Sequence, residues 1–395
     1  MRGANYLVGV LGALVVAAIV WGPLRAKAQK QGVSDQPTQF QVDASWPKPL
    51  PNDPITGKPW VSGEVGGTCI DSQDHVFTVN RASQNNLIAP EDVIATAAPP
   101  FIEYDTAGNV VNAFGDATVV PSGLHGCFID SQDNFWTAGN GDGVVQKYSH
   151  DGQFIFQIGI RGRCDTVDRR CGGTPTPVET NSSQRLLYHP ANMAVDPTNG
   201  DVYIADGYGN HRIVVFDSKG TFLRQWGNAG TGPGQFQPND GGHPHCVRIS
   251  AGGLVYTCDR GSDRIQVFDK NPTSCTGVPP DRVCQPLRII PVVPGTADLP
   301  TAGSAWDLDF SKDAAQSLFY EADGGNEILH IFDRMAGSIM GGFGGPGHQA
   351  GQFTFLHSVN VDSQGNLIIG ETIGGRRVQK FVPVRGAKGK NLTVN

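Results

Sequence analysis

Gly126-Cys127-Phe128-Ile129-Asp130-Ser131-Gln132-Asp133-Asn134-Phe135-Trp136-Thr137-Ala138 reads as two short strands around a polar turn. Its apolar residues are β-branched and aromatic, and the run is bounded by Gly, Asp and Asn, which is the chemistry of strands. The same grammar recurs six times along the 395 residues. The polar residue that ends each first strand is Asp71, Asp130, Asp196, Ser250, Ser311 and Asp362. Third strands are the clearest, at 101–104, 144–148, 213–216, 265–268, 328–332 and 378–381. A fourth strand ends at a glycine in several copies, as in Phe222-Leu223-Arg224-Gln225-Trp226-Gly227.

Four strands per copy at a period of roughly 50–60 residues is the pattern of propeller blades. The expected fold is all-β: a six-bladed propeller of four-stranded antiparallel blades over residues 58–384. Phe40-Gln41-Val42 is expected to add an outer strand to the last blade and so close an edge that would otherwise stay open. Residues 29–57 otherwise read as a polar, proline-containing linker, and 385–395 as a C-terminal tail.

Counting back five places from each end residue gives Gly66, His125, Ala191, His245, Trp306 and His357. Alternate blades of a six-bladed ring lie about a third of a turn apart at one depth, so three imidazoles converge on the axis. His125 to His245 is 120 residues and His245 to His357 is 112, so two blades each time agree with the period. Histidine fills only 10 of 395 positions, and Gly, Ala and Trp stand at the other three sites, so the repeat itself does not demand it. Three histidines with one open position is a catalytic zinc arrangement, which makes His125, His245 and His357 the expected metal ligands. Histidines outside this register carry a plainer expectation. His75, His150, His211 and His348 read as solvated turn residues, and His330 lies along a third strand. His189 and His243 precede prolines and read as turn residues before pocket-rim ones.

Second strands end in residues that face the same mouth. Arg81 and Arg260 hold the same place in blades 1 and 4, and Tyr208 follows the second strand of blade 3. A tyrosine beside a metal and arginines can serve as a base, and arginine clamps carboxylates bidentately. Taken singly, each could equally be a solvated turn residue or half of an Asp–Arg pair.

Composition narrows the classes. Gly at 52 and Pro at 27 suit many short strands joined by tight turns. A net charge of -7 leaves no basic footprint for nucleic acid. Arg2, an apolar run from Tyr6 to about Trp21 and Ala26-Lys27-Ala28 read as an export signal over residues 1–28. The rival is an uncleaved N-terminal anchor, the one way this chain would meet a membrane. The expected location is exported, either periplasmic or secreted. Eight cysteines fit an oxidising compartment. Cys164 with Cys171 and Cys275 with Cys284 flank short loops and are expected to form local disulfides. Cys69, Cys127, Cys246 and Cys258 fall on strands, and the sequence assigns them no partners.

Three stretches carry a resemblance. They are Asp206-Gly207-Tyr208-Gly209-Asn210-His211-Arg212-Ile213-Val214, then Gly227 through Gly234-Gln235-Phe236 to Pro244-His245, then Asp259-Arg260 with Arg264-Ile265-Gln266. They resemble peptidyl-α-hydroxyglycine α-amidating lyase, and more broadly the NHL-type six-bladed propellers. The resemblance implies zinc on His125, His245 and His357, with catalytic work on Tyr208, Arg81 and Arg260. It implies a peptide or small-molecule substrate bearing a carboxylate, cleaved at an N–C(OH) bond to an amide and glyoxylate. A structural calcium is also implied, at carbonyls of Thr68 and Cys127, but the family's His-Asp is His357-Ser358 here, so that ion lacks its carboxylate. Phe355 replaces a methionine two places before the last histidine, and the family's disulfide positions are not cysteine. Two rivals stand beside the lyase: a non-catalytic NHL-type binding module with a structural metal, and a metal-dependent hydrolase or lactonase. The last usually relies on carboxylate ligands, whereas the axial register here is histidine. Oligomeric state is not legible.

Overall fold

Short runs of β-branched and aromatic residues, buried along their whole length in the inner strands, produce six separate sheets of four antiparallel strands each. The computed structural model describes residues 38–81, 91–239, 241–296 and 303–384, so the expected export signal and the tail at 385–395 lie outside the described residues. First strands are Val65–Ile70, Leu124–Ile129, Asn192–Val195, Cys246–Ile249, Ala305–Phe310 and Leu356–Val361. Each touches the first strand of the next blade, and that of blade 6 touches that of blade 1. The six sheets therefore form a closed ring with first strands around the axis, the six-bladed propeller expected from the repeat. Among the described residues helix is nearly absent: a four-residue turn at Glu91–Ile94 and a 3₁₀ turn at Arg260–Ser262.

The core sits between blades rather than within them. Trp136, Val145 and Ile158 of blade 2 pack with Met193, Val202 and Ile204 of blade 3 in one buried cluster. Ile368 of blade 6 packs with Val76 and Ile102 of blade 1, which closes the circuit. Each such side chain contributes about 1.5–3 kcal/mol by leaving water. A blade alone would leave both faces wet, so the ring is the smallest unit that hides them.

The repeated aspartate has a local task. Asp130 Oδ1 accepts the N–H groups of Gln132 and Asn134, both at 3.0 Å, which ties the turn between first and second strands. Asp71 and Asp362 tie their own turns in the same way. In blades 1 and 2 the turn passes through a left-handed residue, Asp74 at φ 63° and Asp133 at φ 57°, a conformation aspartate tolerates better than most.

Phe40–Val42 pairs antiparallel with Arg377–Pro383 and completes blade 6, with Phe40 opposite Pro383. All eight cysteines are paired, and the two loop disulfides, Cys164–Cys171 and Cys275–Cys284, are as expected. Cys69–Cys127 links the first strands of blades 1 and 2, and Cys246–Cys258 links first and second strands of blade 4. Such a set suits an oxidising compartment. No helix among the described residues is long and apolar enough to cross a membrane.

Candidate functional site

Backbone bulges aim the axial side chains. In blades 1, 5 and 6 pairing skips one residue, and the skipped residues are Gly66, Trp306 and His357. Blade 2 is bulged between His125 and Phe128. An extra residue in one strand turns its side chain out of the ladder, here toward the channel. His125, His245 and His357 are all buried, and one ring nitrogen from each lies within 4.8 Å of the others. Their ring centroids are 4.7, 5.0 and 5.1 Å apart, and every pair meets edge to face.

Odd blades orient even ones. His125 Nδ1 donates to the Ala191 carbonyl at 2.7 Å, and His245 Nδ1 donates to the Trp306 carbonyl at 2.6 Å. A carbonyl only accepts, so both Nδ1 atoms carry the proton and both Nε2 atoms present a bare lone pair. His357 Nδ1 is buried without a hydrogen bond. Burial first holds all three imidazoles well below 6.5, with the Arg260 charge adding to it at all three and the Arg81 charge at His125 and His357, so they stay neutral.

The Tyr208 hydroxyl stands 3.2 Å from His125 Nε2 and 3.0 Å from His245 Nε2. A single hydroxyl proton satisfies one of these lone pairs at a time. Neutral, carbonyl-oriented imidazoles converging with unmet lone pairs are what a divalent cation requires, so these residues fit a metal. The register positions thus supply a cluster that could hold one.

Anchored loops deliver the other groups. Asp206, fully buried at the end of its strand, accepts Arg212 Nε at 3.0 Å, Asn210 Nδ2 at 2.7 Å and the Tyr188 N–H at 2.8 Å. That knot fixes the turn carrying Tyr208. Gly242, at φ 84°, leaves room beside it: a Cβ there would sit 2.8 Å from His245 and 2.9 Å from the Tyr208 ring. Asp259 accepts Arg264 Nε at 2.8 Å and the Gln237 N–H at 3.0 Å, which anchors the following Arg260. Arg260 donates to the Tyr208 hydroxyl at 3.4 Å and lies 4.3 Å over the Trp306 ring. Its Nε is buried without a hydrogen bond.

Arg81 is placed differently from Arg260. It donates to the Leu124 carbonyl at 2.6 Å and to Glu64 at 2.9 Å, crossing a register site where only glycine fits, since a Cβ on Gly66 would lie 2.7 Å from the Leu124 carbonyl oxygen and 3.1 Å from Arg81 Nε. Its charge reaches His125 and His357, and no hydrogen bond joins it to Tyr208 among the described contacts. Sequence reasoning treated Trp306 only as a non-histidine, yet it is the platform beneath Arg260 and the carbonyl that orients His245. Its register position was the available signal.

Other histidines depart from expectation. His243 is buried, and its Nδ1 accepts the Gly261 N–H at 2.9 Å, holding the Arg260 turn. Burial, then Arg260, pushes it down to about 3. His211, expected in solvent, is buried against Glu179 at 2.9 Å, and His330 pairs with Asp323 at 3.1 Å. His75 and His150 are not free in solvent either: they bond Glu103 and Asp71 at 2.7 and 2.8 Å. His348 is exposed as expected. In each displaced case the partner comes from another strand or loop, which a local reading does not see.

Near Ser358, Thr68 Oγ1 bonds Ser358 at 3.0 Å and Asn360 at 2.8 Å, and Asp307 Oδ2 meets Arg248 at 3.0 Å while its Oδ1 is buried without a hydrogen bond.

The NHL repeat family model matches residues 187–216 and 242–268, the segments that carry Tyr208, His245 and Arg260. Human "NHL repeat-containing protein 3" is 23% identical over 360 residues, covering 87% of this chain and 84% of the relative. "Peptidyl-glycine alpha-amidating monooxygenase A" of Xenopus laevis is 25% identical over 270 residues, 62% of this chain and 25% of that longer protein. "Probable peptidyl-alpha-hydroxyglycine alpha-amidating lyase pgal-1" of Caenorhabditis elegans is 30% identical over 231 residues, 55% of this chain and 60% of the relative. The chain is therefore a six-bladed propeller with NHL-repeat matches in blades 3 and 4, and its relatives include peptidyl-α-hydroxyglycine α-amidating lyases.

Proposed function

We propose that the protein is an exported zinc-dependent lyase that cleaves the N–C(OH) bond of an N-acyl-α-hydroxyglycine to an amide and glyoxylate. One observation carries the reading: the Tyr208 hydroxyl lies at once within 3.2 Å of two axial imidazoles and 3.4 Å from Arg260. His125, His245 and His357 would hold the zinc through their bare ring nitrogens. When bound, the ion supplies Lewis acidity that makes a substrate hydroxyl easier to deprotonate.

The protein's own groups do the rest. Tyr208, as phenolate, takes the hydroxyl proton. The oxygen's electron pair forms the new C=O bond, the C–N pair leaves with nitrogen, and Tyr208 returns the proton to that nitrogen. Arg260 stabilises negative charge on the tyrosine oxygen, helped by its stacking on Trp306. Arg81 meets the substrate carboxylate by exchanging its Glu64 partner.

The test is glyoxylate release from an N-acyl-α-hydroxyglycine by the full chain, with and without chelator, while circular dichroism follows the fold. Zinc-dependent release is expected. A zinc-loaded protein that folds and binds the compound without releasing glyoxylate would leave the binding-module reading, which draws on the long match to NHL repeat-containing protein 3.

A further inference from the structure

In blades 2 and 6 the aspartate of the tied turn has a third-strand lysine behind it, and blade 1 departs from both. In blade 2, Asp130 Oδ2 is met by Lys147 at 3.0 Å and by Trp136 Nε1 at 2.9 Å, with Asn134 completing the set. In blade 6, Asp362 Oδ2 is met by Asn366 at 2.6 Å and Lys380 at 3.8 Å. Strand register makes the positions equivalent. Lys147 lies opposite Trp136 and Lys380 opposite Ile368, each six places after its aspartate. In blade 1 the residue six places after Asp71 is Phe77, and Glu103 lies opposite it. Where the sister blades have asparagine, four places after the aspartate, blade 1 has His75.

Two exchanges, lysine to glutamate and asparagine to histidine, turn a neutralised carboxylate into a pair of carboxylates. Their side chains are 0% and 5% exposed for Asp71 and Glu103. Among the described residues they have no lysine or arginine partner, only imidazoles. His150, from the turn before the fourth strand of blade 2, approaches Asp71 Oδ2 at 2.8 Å and Glu103 Oε1 at 3.8 Å. His75 Nδ1 lies 2.7 Å from the same Glu103 oxygen and 3.9 Å from Asp71 Oδ2. Asp71 Oδ1 is occupied by the turn, so Oδ2 is the atom left for the cluster.

We infer that Asp71, Glu103 and His150 form a second binding site for a divalent transition-metal ion, at the seam between blades 1 and 2, with His75 steering Glu103. One ligand atom from each of the three lies within 4.8 Å of the others. Two oxygens and one imidazole nitrogen suit zinc and its neighbours, and a tetrahedral zinc site sets ligand atoms about 3.4 Å apart, between the short and long separations seen here. Carboxylates buried beside imidazoles alone favour a cation in their midst, a protonated His150 or a metal ion. His150, the most exposed member with 34% of its side chain accessible, marks the entry side. The disulfide Cys69–Cys127 ties the two blades beside this seam.

The discriminating variant is Glu103→Lys, which restores the residue that blades 2 and 6 use and so should fold. Full-length protein prepared free of metal is titrated with Zn²⁺ alone, and bound zinc is counted by elemental analysis after desalting. The expected result is one more zinc per chain in the parent than in Glu103→Lys, whether or not the axial histidines are loaded. His150→Gln should weaken the same site by more than the 10–100-fold typical of losing an outer partner of a ligand. Equal zinc content in parent and Glu103→Lys would overturn the inference. So would a parent whose zinc is lost completely on His125→Ala. Glyoxylate release plays no part in this count, so the lyase reading and the second site can fail separately.

Discussion

The axial histidines and the cluster at the blade 1–2 seam use the same residue type in opposite settings. On the axis, three neutral imidazoles face one another with no carboxylate among them, and backbone carbonyls from intervening blades orient two of them. At the seam, imidazoles face two carboxylates whose side chains are almost fully buried. Both differ from sister blades only in the side chains at equivalent positions: Ala191 and Trp306 stand there on the axis, Asn134 and Lys147 at the seam. The lesson is that a repeat frees its side chains for chemistry because hydrogen-bonded strands and tied turns hold the backbone without them.

The largest effect that would break this contrast lies on the axis. Tyr208→Phe should lower glyoxylate release by about 10²–10⁴-fold, the usual worth of a positioned base, while zinc content stays unchanged. A variant with parent activity would strip Tyr208 of its role. Arg260→Ala should cost about 10²-fold or more in turnover, as for a lost charge-stabilising donor, and Arg260→Lys should recover only part, because a point charge cannot stack on Trp306 as a planar guanidinium does. Equal rates for both variants and the parent would remove Arg260 from the chemistry.

Smaller effects sharpen the structural half. Replacing Cys246 and Cys258 by serine opens a bridge spanning 12 residues beside His245 and should cost about 2–3 kcal/mol in chemical denaturation. Smaller still is the contrast between tied turns. Burial raises the Asp130 carboxyl, but hydrogen bonds from Trp136 and Asn134 and the Lys147 ammonium outweigh it, so it sits below 3.8. A carboxyl lowered in the native state adds stability above its unfolded value and loses it as pH falls through the native one. Asp130→Asn should therefore flatten part of the acid unfolding below about pH 4, measured by fluorescence against pH. An unchanged acid limb would show that this pair adds nothing.

Much of this was legible before any coordinates. The sixfold strand grammar gave blade number, strand order and the closing strand, because blades are local units and their pattern is written in consecutive residues. The axial register was legible because its rule is periodic. The seam cluster was not, since His75, Glu103 and His150 come from a turn, a strand and the next blade's turn. His75 and His150 read as solvated turn residues and Glu103 only as part of a third strand, and only the comparison of Glu103 with Lys147 and Lys380 would have exposed the cluster. Arg81 shows the other limit. Its place in the repeat matched Arg260, but a glycine at position 66 lets it lie across the channel wall toward Leu124 and Glu64.

The strand at Phe40–Val42 meets its partner across 343 positions, Phe40 opposite Pro383. Joining contacts so distant is slow, because the entropy of closing so large a loop must be met first. During synthesis the early strand must therefore wait for the last blade to be made, and from then until the two pair the rim of that blade is a sticky template for a neighbouring chain. Closure of this toroid thus waits on the docking of Phe40–Val42 against the last strand to be made.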